Sequence, residues 1–176
     1  MLPTFETERL VVRPRSLDDL EACLAMDRDP EVTKFIPGPW RDPERHRAFV
    51  VDRITRDYGE GLGYWSIFER GNPDRFLGWI LLIPDDGIGP EIEVGWRLVR
   101  ETWGRGIGTE AARPVLAHAF ATLALPRVVA RIHPENRASR RLAEKLGLLH
   151  LGDREQDGES WADYALTHEE FSRRAG

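Results

Sequence analysis

The segment Trp103-Gly104-Arg105-Gly106-Ile107-Gly108-Thr109 constrains this chain more than any other. It separates an alternating stretch, 91–98, from an apolar-faced helix predicted over 109–123. In the first, Ile92, Val94, Trp96 and Leu98 fall on one side and Glu91, Glu93, Gly95 and Arg97 on the other, which is the period of a strand. In the second, Ala112, Val115, Ala119, Phe120 and Leu123 are the buried stripe, and Pro114 predicts a bend or a later start. Glycines let a backbone approach a ligand closely, and a helix start offers unpaired N–H groups at a positive dipole end. The unit is therefore a candidate phosphate or pyrophosphate site; taken alone it reads equally well as a turn fitting a helix against a sheet. A Walker loop is excluded, because Thr109 follows Gly108 with no lysine between them. A dinucleotide fingerprint is met only by letting Ala111 stand for its last glycine, and the unit follows antiparallel hairpins in the second half of the chain.

The rest of the sequence alternates strands with helices. Residues 10–13 form a short strand stopped by Pro14. Ser16 and Asp19 resemble a capping box ahead of a helix carrying Leu17, Leu20 and Leu24. Asp42-Pro43 starts a second helix whose stripe is Phe49, Val50 and Ile54. Stretches 64–69 and 76–83 flank Gly71-Asn72-Pro73-Asp74 and read as a hairpin. A strand over 127–133 leads to a helix over 136–146, ended by Gly147. Asp157-Gly158 joins strands 150–155 and 160–166, and Thr167 with Glu170 caps a final short helix. This is one domain, 1–176, of a mixed α/β kind.

The 176 residues carry 25 basic and 30 acidic side chains, a net charge of −5. That balance lacks the general attraction to phosphate behind non-specific nucleic-acid binding. The longest apolar run, 79–83, is far short of the roughly 20 residues of a membrane span. Cys23 is the only cysteine, so neither a disulfide framework nor a cysteine-clustered zinc site is available and no metal is expected. The start Met1-Leu2-Pro3-Thr4 has no secretory character, and a cytoplasmic protein is expected.

A second segment joins the glycine loop. Residues 132–139, Ile-His-Pro-Glu-Asn-Arg-Ala-Ser, end a strand and open a helix that closes on Ala143-Glu144-Lys145-Leu146-Gly147-Leu148. Here the sequence resembles the GNAT acetyltransferase superfamily, in particular its RimJ/RimL-type ribosomal-protein N-terminal acetyltransferase branch. Thr7-Glu8-Arg9-Leu10 is similar to that branch's opening strand, Ile92-Glu93-Val94-Gly95-Trp96 to its central strand, and 103–112 to its acetyl-CoA loop. The branch also carries Trp at the position of Trp103. The resemblance implies a mixed, mostly antiparallel sheet splayed between the strands ending at Leu98 and Arg131, with helices on both faces and acetyl-CoA in the gap. It implies that backbone groups of Leu98 and Val99 pair with the pantetheine arm. The amides of Gly104, Arg105, Gly106, Ile107, Gly108 and Thr109 would hold the pyrophosphate, and Arg105, Arg140 or Arg141 would reach the outer phosphate. The tyrosine acid of many superfamily members is Ala143 here.

The implied reaction is direct acetyl transfer to an amine, either a protein N-terminus or a small molecule. It needs a neutral amine, a polarised thioester and a proton for the leaving thiolate. Glu93 is the preferred base and Glu91 the alternate, against the plain reading of both as acids on a solvated face. Ser139 aligns with the branch's thiolate-protonating serine, though a first-turn serine is also an ordinary helix feature. Asn136 is expected to cap its helix and to bond the pantetheine. His133 reads as structural, and Trp40, His46 and Trp65 stay unassigned between acceptor pocket and core. Trp161, on an edge-like final strand, is the candidate contact of a homodimer. A non-catalytic CoA-binding module is the competing function; a dinucleotide-linked oxidoreductase has only the glycine loop in its favour.

Overall fold

A computed structural model describes residues 1–175. The strands are β1 (Phe5–Glu6), β2 (Leu10–Pro14), β3 (Gly63–Glu69), β4 (Asn72–Pro84), β5 (Ile92–Leu98), β6 (Arg127–Ile132), β7 (Leu149–Gln156) and β8 (Glu159–Thr167). They form one sheet in the order β1-β2-β3-β4-β5-β6-β8-β7. Every neighbouring pair is antiparallel except β5 and β6, which are parallel and meet only at Glu93 opposite Val129. Beyond that point the two strands part. The fold is the splayed α/β architecture expected of the sequence.

Strand alternation sends side chains to two cores. On one face Leu10, Val12, Trp65, Ile80, Leu82 and Val94 pack beneath the helices α3 (Ile107–Ala117) and α4 (Arg137–Leu146). Phe171 of α5 (His168–Ala175) packs against the same core. On the other, Tyr64, Trp79, Leu81 and Ile83 meet Leu20, Cys23 and Leu24 of α1 (Leu20–Asp27) and Val50 of α2 (Pro43–Thr55). The face bearing Glu93 and Arg97 is thus roofed by helices rather than open to solvent. A buried ion pair ties the roof down: Arg97 donates to Asp27 at 2.7 Å, and His46 meets the other Asp27 oxygen at 3.1 Å.

Local signals account for the element ends. Asp42 caps α2 through the Arg45 amide at 3.0 Å, and the Thr167 amide donates to Glu170 at 2.8 Å. Asp157 (φ 53°) and Gly158 (φ 79°) make the left-handed pair of a tight hairpin turn. Pro114 does not delay α3, which starts earlier than expected, at Ile107, and runs through it. The following turn, His118–Thr122, widens to a π-helix. Leu17, expected on the buried face of the first helix, is exposed, and β8 is internal, flanked by β6 and β7, so Trp161 is not on an edge. The edge is β7, which exposes Leu149 and Leu151.

Gly78 of β4 fixes the register beneath the site. A Cβ built there would lie 2.2 Å from the Arg97 carbonyl oxygen and 2.8 Å from the Leu98 Cα, at φ +139°. The clash is with backbone and cannot be relieved by a rotamer. Gly78→Ala should lower unfolding free energy by about 3 kcal/mol or more in urea denaturation.

Candidate active site

A cavity of about 720 Å³ opens where β5 and β6 part. Because the strands separate, it reaches both faces of the sheet. Glu93, Gly95 and Arg97 line it from one face, Trp96 from the other, and Asn136 and Ser139 close it from α4.

The gap also exposes backbone. The Val99 N–H donates to Leu77 at 3.0 Å, which fixes the phase of the β4–β5 ladder. Antiparallel alternation then turns Val99, Arg97 and Gly95 toward β4, and Leu98 and Trp96 toward the gap. Leu98 therefore keeps an N–H there, while its carbonyl accepts the Trp103 indole N–H at 3.0 Å. Val99 is not open to the gap as the sequence suggested: its amide goes to β4 and its carbonyl accepts the Thr102 hydroxyl at 2.7 Å. Trp96 takes its place, a position that strand parity alone could not assign without knowing which neighbour lay on which side.

The glycine loop continues from this strand. Gly106 (φ 77°) turns the chain into α3, whose first helical bond is Glu110 N–H to Gly106 O at 3.0 Å. The amides of Ile107, Gly108 and Thr109 precede that bond and have no acceptor within the helix. Gly108 is a packing glycine, since a Cβ there would lie 2.4 Å from Leu142 Cδ1 and 3.1 Å from Leu98 Cδ1. The opening motif supports the loop. Arg9 donates to the Arg105 carbonyl at 2.9 Å and to Glu110 at 2.7 Å, and the Thr7 hydroxyl donates to Glu110 at 2.6 Å. Burial pushes the Glu110 carboxyl up, but these bonds outweigh it and hold the group below its usual range. The role of Thr7 and Arg9 was hidden by a separation of about a hundred residues. The Arg105 and Arg141 side chains are exposed near the helix starts. Arg140 is turned away, donating to the Tyr164 hydroxyl at 2.9 Å and the Pro134 carbonyl at 3.1 Å, and would have to release both to reach a phosphate.

Glu93 sits at the root of the splay, beside the last β5–β6 pairing. Its carboxyl makes no hydrogen bond among the described residues and is pushed up to about 7 by burial, then by the nearby Asp85 charge, against the opposing pull of Arg131. Glu91 is held in a two-pronged pair with Arg127 at 2.8 and 2.9 Å and does not line the cavity. Across the gap, Asn136 caps α4 by accepting the Ser139 amide at 3.1 Å. The Ser139 hydroxyl oxygen accepts the Trp96 indole N–H at 3.2 Å, so its own proton is free to be donated. Ala143 is fully buried in the core. His133 borders the cavity, stacked on Phe35 at 4.9 Å. Trp65 is buried on the far face, whereas Trp40 packs edge-on against His46 at 5.3 Å.

The sequence profile of the Acetyltransferase (GNAT) domain matches residues 9–149. An uncharacterized N-acetyltransferase p20 of Bacillus licheniformis is 30% identical over 86% of this chain and 85% of its own length. The FsC-acetyl coenzyme A-N(2)-transacetylase of Aspergillus fumigatus is 29% identical over 97% of this chain and 79% of its own. A crystal structure of a GNAT-family acetyltransferase from Bacillus anthracis superposes with a TM-score of 0.79 at 26% identity, covering 95% of this chain and 99% of that one.

The state of Glu93 has a measurable cost. Below its ordinary value of 4.5 the group is protonated folded or unfolded and contributes nothing. Between 4.5 and about 7 only the unfolded chain ionises, so stability falls, and above 7 the full penalty persists. At 1.36 kcal/mol per unit the penalty amounts to up to about 3 kcal/mol. The stability advantage of Glu93→Gln over the parent should therefore be absent at pH 4 and grow to its maximum by pH 8 in urea titrations; an advantage independent of pH refutes the assignment.

Proposed function

This chain belongs to the GNAT acetyltransferase family, and from that premise we propose that it transfers an acetyl group from acetyl-CoA directly to the α-amine of an acceptor, as a member of the RimJ/RimL-type branch. The observation that carries the reading is Glu93: a carboxyl near neutrality, without a hydrogen-bond partner among the described residues, in one cavity with a serine whose hydroxyl is poised to donate. A base near 7 lies within about one unit of an α-amine near 7.8 and more than three below a lysine amine near 10.4.

The residues fit acetyl-CoA. The N–H groups of Trp96 and Leu98 suit the amide carbonyls of a pantetheine arm laid along β5, and Asn136 borders the same gap. Amides 104–109, ahead of and within the first turn of α3, suit a pyrophosphate, with the Arg105 side chain free beside them. Bound there, acetyl-CoA supplies an activated thioester. Glu93 takes the proton from the acceptor nitrogen as that nitrogen bonds to the acetyl carbon. The carbon–sulfur bond breaks, and Ser139 gives its hydroxyl proton to the departing sulfur while Trp96 holds the serine oxygen in place. The proton held by Glu93 then passes through solvent to the Ser139 oxygen, which restores both groups.

In a thiol-release assay, kcat/KM should rise with pH through two ionisations, Glu93 near 7 and the α-amine near 7.8, and Glu93→Gln should leave only the second and lose about 10² to 10⁴ of the rate. Ser139→Ala should lower kcat with little change in acetyl-CoA affinity, since its proton matters in the transition state. A Glu93→Gln enzyme with the parental rate and pH profile removes Glu93 from the reaction. Gly106→Val should weaken CoA binding at least tenfold at a stability cost of about 1–2 kcal/mol for the left-handed backbone. Unaltered CoA affinity would place the pyrophosphate elsewhere. Gly108 is a poor probe, because any side chain there disturbs Leu142 and Leu98.

A further inference from the structure

At the end of the cavity away from Ser139, Arg15 lies flat on Tyr64, its Cζ 3.7 Å from the ring centre. Its Nε and Nη2 are buried with no hydrogen-bond partner, and no carboxylate pairs with it among the described residues. The neighbours able to carry negative charge do not supply it. Burial pushes the Cys23 thiol up to about 11 and the Tyr64 phenol upward as well, so both are neutral at pH 7. Burial pulls the guanidinium itself downward, against smaller opposing contributions from Cys23, Tyr64 and Tyr58. Asp27, an acid in the same lining, is already engaged by Arg97 and His46. A half-buried, unpaired guanidinium on the wall of a ligand cavity is an expensive feature for packing alone.

The opposite end of the cavity is acidic. Glu93 stands there with Asp85 and Asp86, which share Arg131. The Arg15 amide bonds the Tyr64 carbonyl, Tyr64 faces Leu81, and Leu81 faces Gly95, one same-face step from Glu93. Arg15 and Glu93 thus lie three strand spacings and one two-residue step apart, about 16 Å at the backbone, and the Arg15 side chain reaches back over Tyr64. The space between them suits a molecule of amino-acid size, with an amine at one end and an anion at the other.

Resting on the α-amine reading above, we propose that the acceptor is a small amine bearing a carboxylate, which Arg15 binds while its amine faces Glu93. The carboxylate supplies the charge that the guanidinium lacks, met at the edge of the group that borders the cavity, and Arg15 becomes the specificity-determining residue. A small molecule is favoured over a protein terminus because the first residue of a continuing chain carries an amide where a free amino acid offers Arg15 a carboxylate.

The test reads binding and turnover separately. N-acetylglycine, N-acetylleucine and N-acetylphenylalanine, each beside its carboxamide, are titrated calorimetrically into the CoA-loaded protein, with N-acetylaspartic acid amide as a side-chain carboxylate. The parent should bind at least one acid tenfold or more tighter than its amide, and Arg15→Met should erase the difference. Arg15→Lys should retain part of it, and the melting temperature of Arg15→Met should be unchanged or higher, whereas a structural cation would cost stability when removed. Tighter binding of the aspartate derivative than of any α-carboxylate assigns the anion to a side chain instead. Equal binding of acids and amides by the parent, or a preference that survives in both Arg15 variants, overturns the proposal. The same panel as free amines is assayed for thiol release: no turnover with intact acid binding refutes the transfer reading alone, whereas turnover of amides and acids at equal kcat/KM refutes the role of Arg15 alone.

Discussion

The structure depends on a pairing that stops. β5 and β6 meet as parallel strands at Glu93 and Val129 and then diverge, leaving backbone N–H groups of β5 without an acceptor among the described residues. Unpaired amides are costly in a closed interior and tolerable only where water or a ligand reaches them. The divergence therefore requires a cavity, and the elements around it serve to keep that cavity from collapsing. Gly78 brings β4 hard against the Arg97 carbonyl and fixes β5 on its other side. Asn136 starts α4 across the gap, and Trp96 spans to Ser139. The position that ends the pairing is also the one that carries the ionisable group, so Glu93 is both hemmed in by protein and open to the reacting space.

Electrostatics follow from the same geometry. A carboxyl on a solvated sheet face would titrate as an ordinary acid; roofed by α1 and α2 and set near Asp85, this one is shifted to neutrality. The roof is tied to β5 itself through Asp27 and Arg97. The cavity is acidic toward Glu93 and cationic toward Arg15, with apolar side chains such as Trp79 and Leu81 between, and that gradient is its most specific feature.

Much of this was legible in the sequence. The alternation of 91–98 placed Glu93 and Arg97 on one face and Trp96 and Leu98 on the other, and the glycine loop, the Asn136 cap and the Asp157-Gly158 turn are local signals that the structure retains. What escaped depended on partners distant in the chain. Glu93 and Glu91 have equal parity, and only the Arg127 pair of one and the roof over the other separate them. Arg140 and Arg105 are the same residue type near two helix starts, yet Tyr164 captures one and leaves the other free. Trp161 looked like an edge residue because β8 is the last strand in sequence, while the hairpin places β7 outside it. Arg15 carried no signal, being a single basic residue after Pro14 whose isolation is a property of the folded environment.

The two cores divide the labour of the sheet between them. The glycine loop, α3 and α4 are packed on one face, and the wall around Arg15, Tyr64 and Trp79 is built by α1 and α2 on the other. Substitutions in α1 and α2 reshape one end of the cavity without entering the packing that supports the loop. Such a molecule can diversify by piecemeal revision of one layer while the opposite layer is inherited intact, and descendants of one ancestor can come to differ in what they accept long before they differ in what they spend.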